Sequence, residues 1–493
     1  MSDPRRGDAS VPAESREDRV GIPSAPPLDP FPGEGGSELP GRRVRDEAWR
    51  DLGGDPALLE RITRAPDVML PSRLDVTTLA FDSVALAILA ANRLLAARGL
   101  AADVPDVTVD GARLVTSFQS ERHVRIDGGA PSAWAPLSGF WETADGWVRT
   151  HGNYPHHAER LRRILRVPAD ATKDDLRDAF RSQRAQSLED AAAASGAIAV
   201  RVRAPEEWAA HPQAQAIRET PLLHTERRPG GFARTWTPNP ARPLDGIRVL
   251  DLTRVIAGPV ATRDLAFAGA TVLRVDAPQL PEIPWQHLDT GQGKRSTLLD
   301  LASRSGRAVF HDLLADADVL VTGYRPGALD ALGLDPDALA RRHPGLVIGS
   351  VSAWGATGPW ARRRGFDSVV QAASGIAAIE SDDGVTPGAL PAQALDHSAG
   401  HLLAAGLMTA LLEQRTDGGT RFVSIALARV AQSLLDSPRT EEKSTARIPA
   451  PALQVGPSGT TRLTTAQPVL TYGGAPPDYP ELTRPWGESP ASW

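Results

Sequence analysis

From Pro243 onward the chain alternates short apolar runs with stretches whose apolar residues recur at helical spacing. IRVLDL (247–252) suits a buried strand and AGPVATRDLAFA (257–268) a helix. ATVLRVD (270–276) and TLLDL (297–301) read as strands, followed by a helix over 303–315. DVLVTG (318–323) is a further strand, then come a helix over 326–342 and the strand GLVIGSVSA (345–353). Strands of this length separated by helices predict βαβ units, hence a Rossmann-like parallel sheet with helices on both faces. Residues 140–213 have a different texture. GFWETADGWVRTHG starts like a hairpin and AERLRRILRV follows as a helix, which predicts a smaller α/β domain beside the sheet. Residues 240–243 form the expected linker.

One pattern occurs twice. VTVDGARLVTS (107–117) and VSIALARVAQS (423–433) share their first Val, a central Ala-Arg and a final Ser. Each follows an Ala/Leu-rich helical stretch opened by Leu-Asp, at Leu74-Asp75 and at Leu395-Asp396. Two copies of "Leu-Asp, long helix, strand, Ala-Arg" lie about 320 residues apart, which is not the spacing of a solenoid. The economical reading is a partial duplication. In the first copy Leu79 stands where the second has Gly400, so the first is read as a structural half.

Composition narrows the class. At 493 residues the chain is too long for one ordinary core, so two or three domains are expected. It is 41% hydrophobic and 23% charged, with a net charge of −6 that gives no footing for general nucleic-acid binding. Arg362-Arg363-Arg364 reads as a solvated turn. The absence of cysteine excludes disulfides, thiol nucleophiles, iron–sulfur clusters and thiolate zinc sites. No apolar signal core opens the chain, and the most apolar stretches, 79–97 and 402–412, carry Asp82, Asn92 and Arg93 or are too short to span a bilayer. A cytoplasmic protein without membrane contact is expected. Residues 1–41, with eight prolines, six glycines and one aromatic, predict a disordered N-terminal tail reaching to residue 45. The stretch from Ser437, with ten prolines, predicts an extended C-terminal tail over 438–493, lying on the rest of the molecule.

Several chemistries drop out for want of their motifs. LDLTRVIAGPVATRDL offers only Gly258 where a dinucleotide-binding turn needs G-x-G-x-x-G. No phosphate-binding G-x-x-x-x-G-K-[ST] and no G-x-S-x-G occur. Histidines cluster at His151, His156 and His157 and at His397 and His401. The second pair has helical i, i+4 spacing but lacks a Glu and a third ligand, so no metal is expected. TGYRPGALDALGL (322–334) and SAWGATGPWARRRGFDSVVQAASG (352–375) follow strands and so fall at the carboxyl ends of the sheet, where α/β folds bind ligands. There Tyr324 and Trp354 offer flat surfaces, and Lys294, Arg295 and Arg325 offer charge suited to phosphates. Asp396, at the mouth of the second long helix, is either an N-cap or a nucleophile.

Taken together, LDGIRVLDLTRVIAGPVATRDLAFAGATVLRVD, GKRSTLLDL, ADVLVTGYRPGALDALGL, GATGPWARRRGFDSVVQAASG and QALDHSAGHLLAAGLMTALL resemble the family III CoA-transferases, in order and spacing, over roughly 243–435. Residues 125–213 resemble the same family's small domain, here placed before the sheet half rather than after it. The resemblance implies a rearranged, partly duplicated member with four parts: the tail 1–45, a degenerate module 46–240, the sheet domain 243–437 and the tail 438–493. It implies that Asp396 attacks an acyl-CoA thioester, passes the CoA through an aspartyl thioester and delivers it to a carboxylic acid acceptor. It further implies that CoA lies across Ala257, Lys294, Arg295, Gly323, Tyr324 and Arg325, and that the protein is a homodimer. Ala277-Pro278 replaces a basic residue found in some members. Two alternatives stay open. One is an acyl-CoA racemase or isomerase of the same fold, disfavoured because Phe366 stands where the racemase His would be, although His397 adjoins Asp396. The other is an inactive CoA-binding paralogue serving as a scaffold.

Overall fold

Seven strands make the central sheet of the computed structural model, which describes residues 43–63, 66–231 and 235–493. In spatial order they are His224–Arg228, Thr420–Ala426, Val347–Ser352, Val319–Thr322, Arg248–Leu252, Thr271–Asp276 and Lys294–Leu298. Six run parallel, and only His224–Arg228, at one edge, is antiparallel. The parallel strands read as apolar runs because helices cover both faces. From Arg248–Leu252 the chain builds outward in one direction through Thr271–Asp276, then returns to add Val319–Thr322 on the other side. The crevice at such a reversal is where open α/β sheets bind ligands.

Two expectations about local elements need correction. The strand assigned to 297–301 is Lys294–Leu298, and the helix over 326–342 reduces to a 3₁₀ turn, Asp330–Leu332, and Pro336–Arg342. Gly327 and Gly333 in left-handed conformations interrupt the earlier part. The repeat is also unequal. Thr420–Ala426 is a full strand leading into the helix Leu427–Leu435. Its counterpart forms one isolated bridge, Val107 with Ile62, before Asp110 caps the helix Gly111–Phe118.

The long helices of the two copies, Val76–Ala97 and Ala394–Asp417, pack on each other, and both are almost wholly buried. Val76–Ala97 is long and apolar enough to cross a membrane by length and composition, but its surface is covered by protein. Gly41–Trp493 forms one compact unit, so the degenerate module and the sheet domain are not separate bodies. Residues 46–240 lend the sheet its edge strand, His224–Arg228, and lend the core the 22-residue apolar helix Val76–Ala97. The small domain is distinct in its core: Gly139–Thr143, Gly146–Thr150 and Ala199–Arg201 form a three-stranded sheet backed by Pro155–Leu165, Lys173–Arg181 and Ala185–Ser195.

The expected N-terminal tail lies outside the described residues up to 42, and Val44 already begins a helix. The expected C-terminal tail contains a hairpin, Leu453–Ser458 with Thr461–Ala466. Beyond it the chain does lie on the sheet: Ser489 N–H donates to Ser296 O (2.7 Å), and Gly487 N–H to Ser296 Oγ (3.0 Å).

Candidate functional site

The helix Ala394–Asp417 starts beside the reversal point, and Asp396 is its third residue. It is not the cap, because Gln393 occupies that position. The orphan N–H of Asp396 donates to Asp367 Oδ2 (3.0 Å), and Leu395 N–H is turned to the same carboxylate. Gln371 Nε2 donates to its other oxygen. The capping expected of Asp396 is thus performed by Asp367, from the neighbouring helix Asp367–Ala373. This leaves the Asp396 carboxylate free to face open space. In the other copy Asp75 caps its own helix conventionally, accepting from Thr78 N–H (3.1 Å).

Asp396 faces two hollows at once. A crevice of about 280 Å³ lies over the carboxyl ends of Arg248–Leu252 and Val319–Thr322, walled by Arg254, Ala257, Gly323, Tyr324, Arg325 and Arg364. A cavity of about 430 Å³ opens on the other side, walled by Trp134, Arg149, His151, Gln286, Ser368 and Gln371. Asp396, Val255 and Phe366 belong to both walls. Burial, and then the Asp367 charge, push the Asp396 carboxyl well above the usual carboxylate range. Burial raises Asp367 itself to about 6.

Val255 has φ of +70°, a rare conformation for a β-branched residue, and its N–H donates to Glu282 Oε2 (3.2 Å). Glu282 anchors that corner. It is 2.7 Å from the Arg274 guanidinium, 3.5 Å from Arg254, and accepts from Tyr154 Oη. Burial alone would raise its carboxyl, but the two arginines hold it at about 2.

The crevice is rich in unneutralised positive charge. Burial, followed by the Arg325 and Arg160 charges, lowers Arg364, and among the described residues none of these three has a carboxylate at ion-pair distance. Arg325 also borders two adjoining hollows of about 760 and 460 Å³, the second shared with Arg160, Arg362 and Arg364. Such a cluster suits phosphate groups. Of the arginine triplet read as a solvated turn, Arg363 and Arg364 wall the crevice. Their sequence signal was the triplet itself, following a strand that ends at the ligand-binding edge.

Four of the six expected cofactor contacts, Ala257, Gly323, Tyr324 and Arg325, meet Asp396 in the crevice. Lys294 and Arg295 do not. Because Lys294 opens a strand rather than sitting in a turn, its side chain points under the helix Ala257–Phe267. There its ammonium donates to Thr262 Oγ1 (2.6 Å), Pro259 O (2.7 Å) and Asp251 Oδ2 (3.2 Å). Arg295 points to the opposite face, toward Pro490 O (3.4 Å). Trp354 is also no ligand surface, being buried against Trp208 and Trp360. His401 bonds Asp264 (2.6 Å) and His397 lies against Phe118, so neither faces the hollows. Among the described residues no group of three or more His, Asp or Glu could hold a metal. Phe366 stacks on His151, with ring centroids 3.8 Å apart. Gly400 serves backbone packing: a Cβ there would stand 2.6 Å from Ala257 O and 2.7 Å from Val260 Cβ.

Comparison with known proteins converges on this region. The family model for CoA-transferase family III matches residues 244–468. The chain is similar to a Mycobacterium tuberculosis protein described as "Probable fatty acyl-CoA transferase Rv3272", at 36% identity over 40% of this chain and 54% of that one. It is similar to the α subunit of succinyl-CoA–L-malate CoA-transferase from Chloroflexus aurantiacus, at 31% over 44% of this chain and 55% of the other. Human succinyl-CoA:glutarate CoA-transferase matches at 32% over 43% and 52% of the respective chains. A crystal structure of Rv3272 matches at 38% identity, with a TM-score of 0.38 over 40% of this chain and 56% of that one. The chain spans about half the length of these curated relatives. Over residues 244–468, a little under half of its length, the chain is similar to CoA-transferase family III.

Proposed function

We propose that the protein is an acyl-CoA:carboxylate CoA-transferase in which Asp396 is the covalent nucleophile. One observation carries the reading: a single buried carboxylate, relieved of capping by Asp367, lies open both to an arginine-lined crevice and to a separate polar cavity. The crevice suits the phosphates of CoA, and the cavity suits the acyl group and the acceptor acid. A carboxylate oxygen of Asp396 attacks the thioester carbonyl, giving an acyl–aspartyl anhydride and CoA thiolate. The thiolate attacks the aspartyl carbonyl and releases the donor acid, leaving an aspartyl-CoA thioester. The acceptor carboxylate attacks that thioester, forming a second anhydride and freeing the thiolate. Attack of the thiolate on the acceptor's acyl carbonyl yields the new acyl-CoA and restores Asp396. Backbone N–H groups at the helix start stabilise negative charge on the oxygens that develop. Phe366, which accepts no proton, stands in both walls and His397 in neither, which speaks against a His397–Asp396 couple moving a proton as in a racemase, although His151, His156 and His157 do line the hollows.

The reading carries with it a cytoplasmic homodimer, to be checked by light scattering. Its central test is intact-protein mass spectrometry after mixing with an acyl-CoA panel and quenching with hydroxylamine. A hydroxamate at Asp396, absent from Asp396→Ala, is the expected outcome. No adduct from any acyl-CoA, with CoA still bound, would remove the covalent mechanism.

A further inference from the structure

The cavity on the far side of Asp396 contains an arginine with nothing to neutralise it. Arg149 is 8% exposed, and its guanidinium lies between the rings of Trp134 (4.7 Å) and Phe140 (4.9 Å). Its Nε has no hydrogen-bond partner, and among the described residues no carboxylate reaches it at ion-pair distance. Asp367 acts on it only from farther off. A buried, unpaired guanidinium is costly, and native structures keep one where an anion completes it. Further unpartnered groups in this wall can donate to an anion: Ser368 Oγ, and His151 Nδ1 in its protonated tautomer, are buried without partners, while Glu121 in the same wall is pushed up by burial to about 7, toward its neutral form. Burial and Arg149 hold His151 down at about 3, so it is neutral and adds no competing charge. A wall meant for a plain hydrocarbon acyl chain would not strand this many polar atoms.

We propose that Arg149 is a specificity-determining residue that binds a second carboxylate on the substrate, so that the acids exchanged at Asp396 are short dicarboxylic acids. The planar guanidinium, held flat by two aromatic rings, presents its terminal N–H groups for bidentate pairing with a carboxylate. The far carboxylate seats on Arg149 while the near, thioester-bearing carbon meets Asp396. At about 430 Å³ the cavity accommodates a four- or five-carbon diacid. This inference rests on the covalent-transferase reading only for the second half of its argument, since the carboxylate site exists independently of what Asp396 does.

The test compares succinyl-CoA and glutaryl-CoA with butyryl-CoA and valeryl-CoA, which match them in length but lack the second carboxylate. Wild type should favour the dicarboxylic donors in kcat/KM. Arg149→Gln should lower kcat/KM for these by roughly 100-fold and leave the monocarboxylic donors within about threefold. Arg149→Lys should recover part of the preference. An arginine that merely tuned the Asp396–Asp367 pair, or merely held the fold, would lower both donor classes together. That result, or a wild type indifferent to the second carboxylate, overturns the proposal. Calorimetry with free glutarate, on wild type and Arg149→Gln, separates the two readings. Binding that is lost in the variant supports the carboxylate site even where no aspartyl adduct forms. Equal binding by both proteins overturns it even where the adduct does form.

Discussion

Asp396 and Asp367 stand at the same helix start, and their surroundings make them unequal. Asp367 accepts from the Asp396 and Leu395 N–H groups and from Gln371, all of which favour its charged form. Asp396 has no such compensation: burial and the Asp367 charge both favour its proton. A carboxylate must be ionised to attack a thioester, so aspartyl-adduct formation should increase as pH rises. Replacing Asp367 by Asn removes the neighbouring charge and lowers the Asp396 value, while the amide oxygen still accepts from the helix N–H. The midpoint of the pH profile should therefore move to lower pH in Asp367→Asn, as read by single-turnover adduct formation between pH 5 and 9. An unmoved midpoint would mean that another group limits the step. At this scale the sequence was informative about identity and silent about partnership. LDHSAG marked Asp396, but Asp367, Arg149 and Arg254 come to the site from stretches that do not adjoin it. The charge run Arg362–Arg364 misled because exposure and a ligand-facing wall look alike in one dimension.

At the scale of elements, most of the sheet was legible because buried parallel strands are apolar runs of distinct length. Its errors have local causes. GKRS looks like a turn, but the residues Lys294 to Leu298 pair with Val272–Asp276, and strand alternation then sends Lys294 inward and Arg295 outward. The two long helices opened by Leu-Asp were recognisable from their shared register, whereas the strand expected before Gly111–Phe118 was not formed, since Val107 finds only Ile62 to pair with. Gly400 shows why the second helix tolerates so little change. The helix Ala257–Phe267 passes close enough that a Cβ at Gly400 would meet both its backbone and Val260. Gly400→Ala should therefore destabilise the protein by about 1–3 kcal/mol despite the better helix propensity of Ala. Urea denaturation would check this, and a stabilised variant would contradict the close packing of the two helices.

For the whole molecule, the order of modules along the chain does not correspond to separate bodies. Glu47 forms an ion pair with Arg429 and accepts from Ser433 Oγ (3.1 Å), joining the first described helix to the helix after the last sheet strand. Both charges are buried. Glu47→Ala leaves Arg429 buried without its carboxylate and should cost about 3–5 kcal/mol. Because the pair bridges the two modules, the loss should appear in a single cooperative unfolding transition, with no early melting of one part. Two transitions in calorimetry would show that the modules unfold independently.

The sheet's two margins are treated differently. His224–Arg228 ends one side with charged and polar side chains, four of its five residues exposed, and the segment after the C-terminal hairpin straps the other through Ser296. An open strand margin is a template on which another chain can continue the hydrogen-bond ladder. Here one margin repels a newcomer and the other is already occupied. The central sheet is thereby guarded at both margins against edge-on pairing, while the two three-stranded sheets keep edges of their own, Leu453–Ser458 among them.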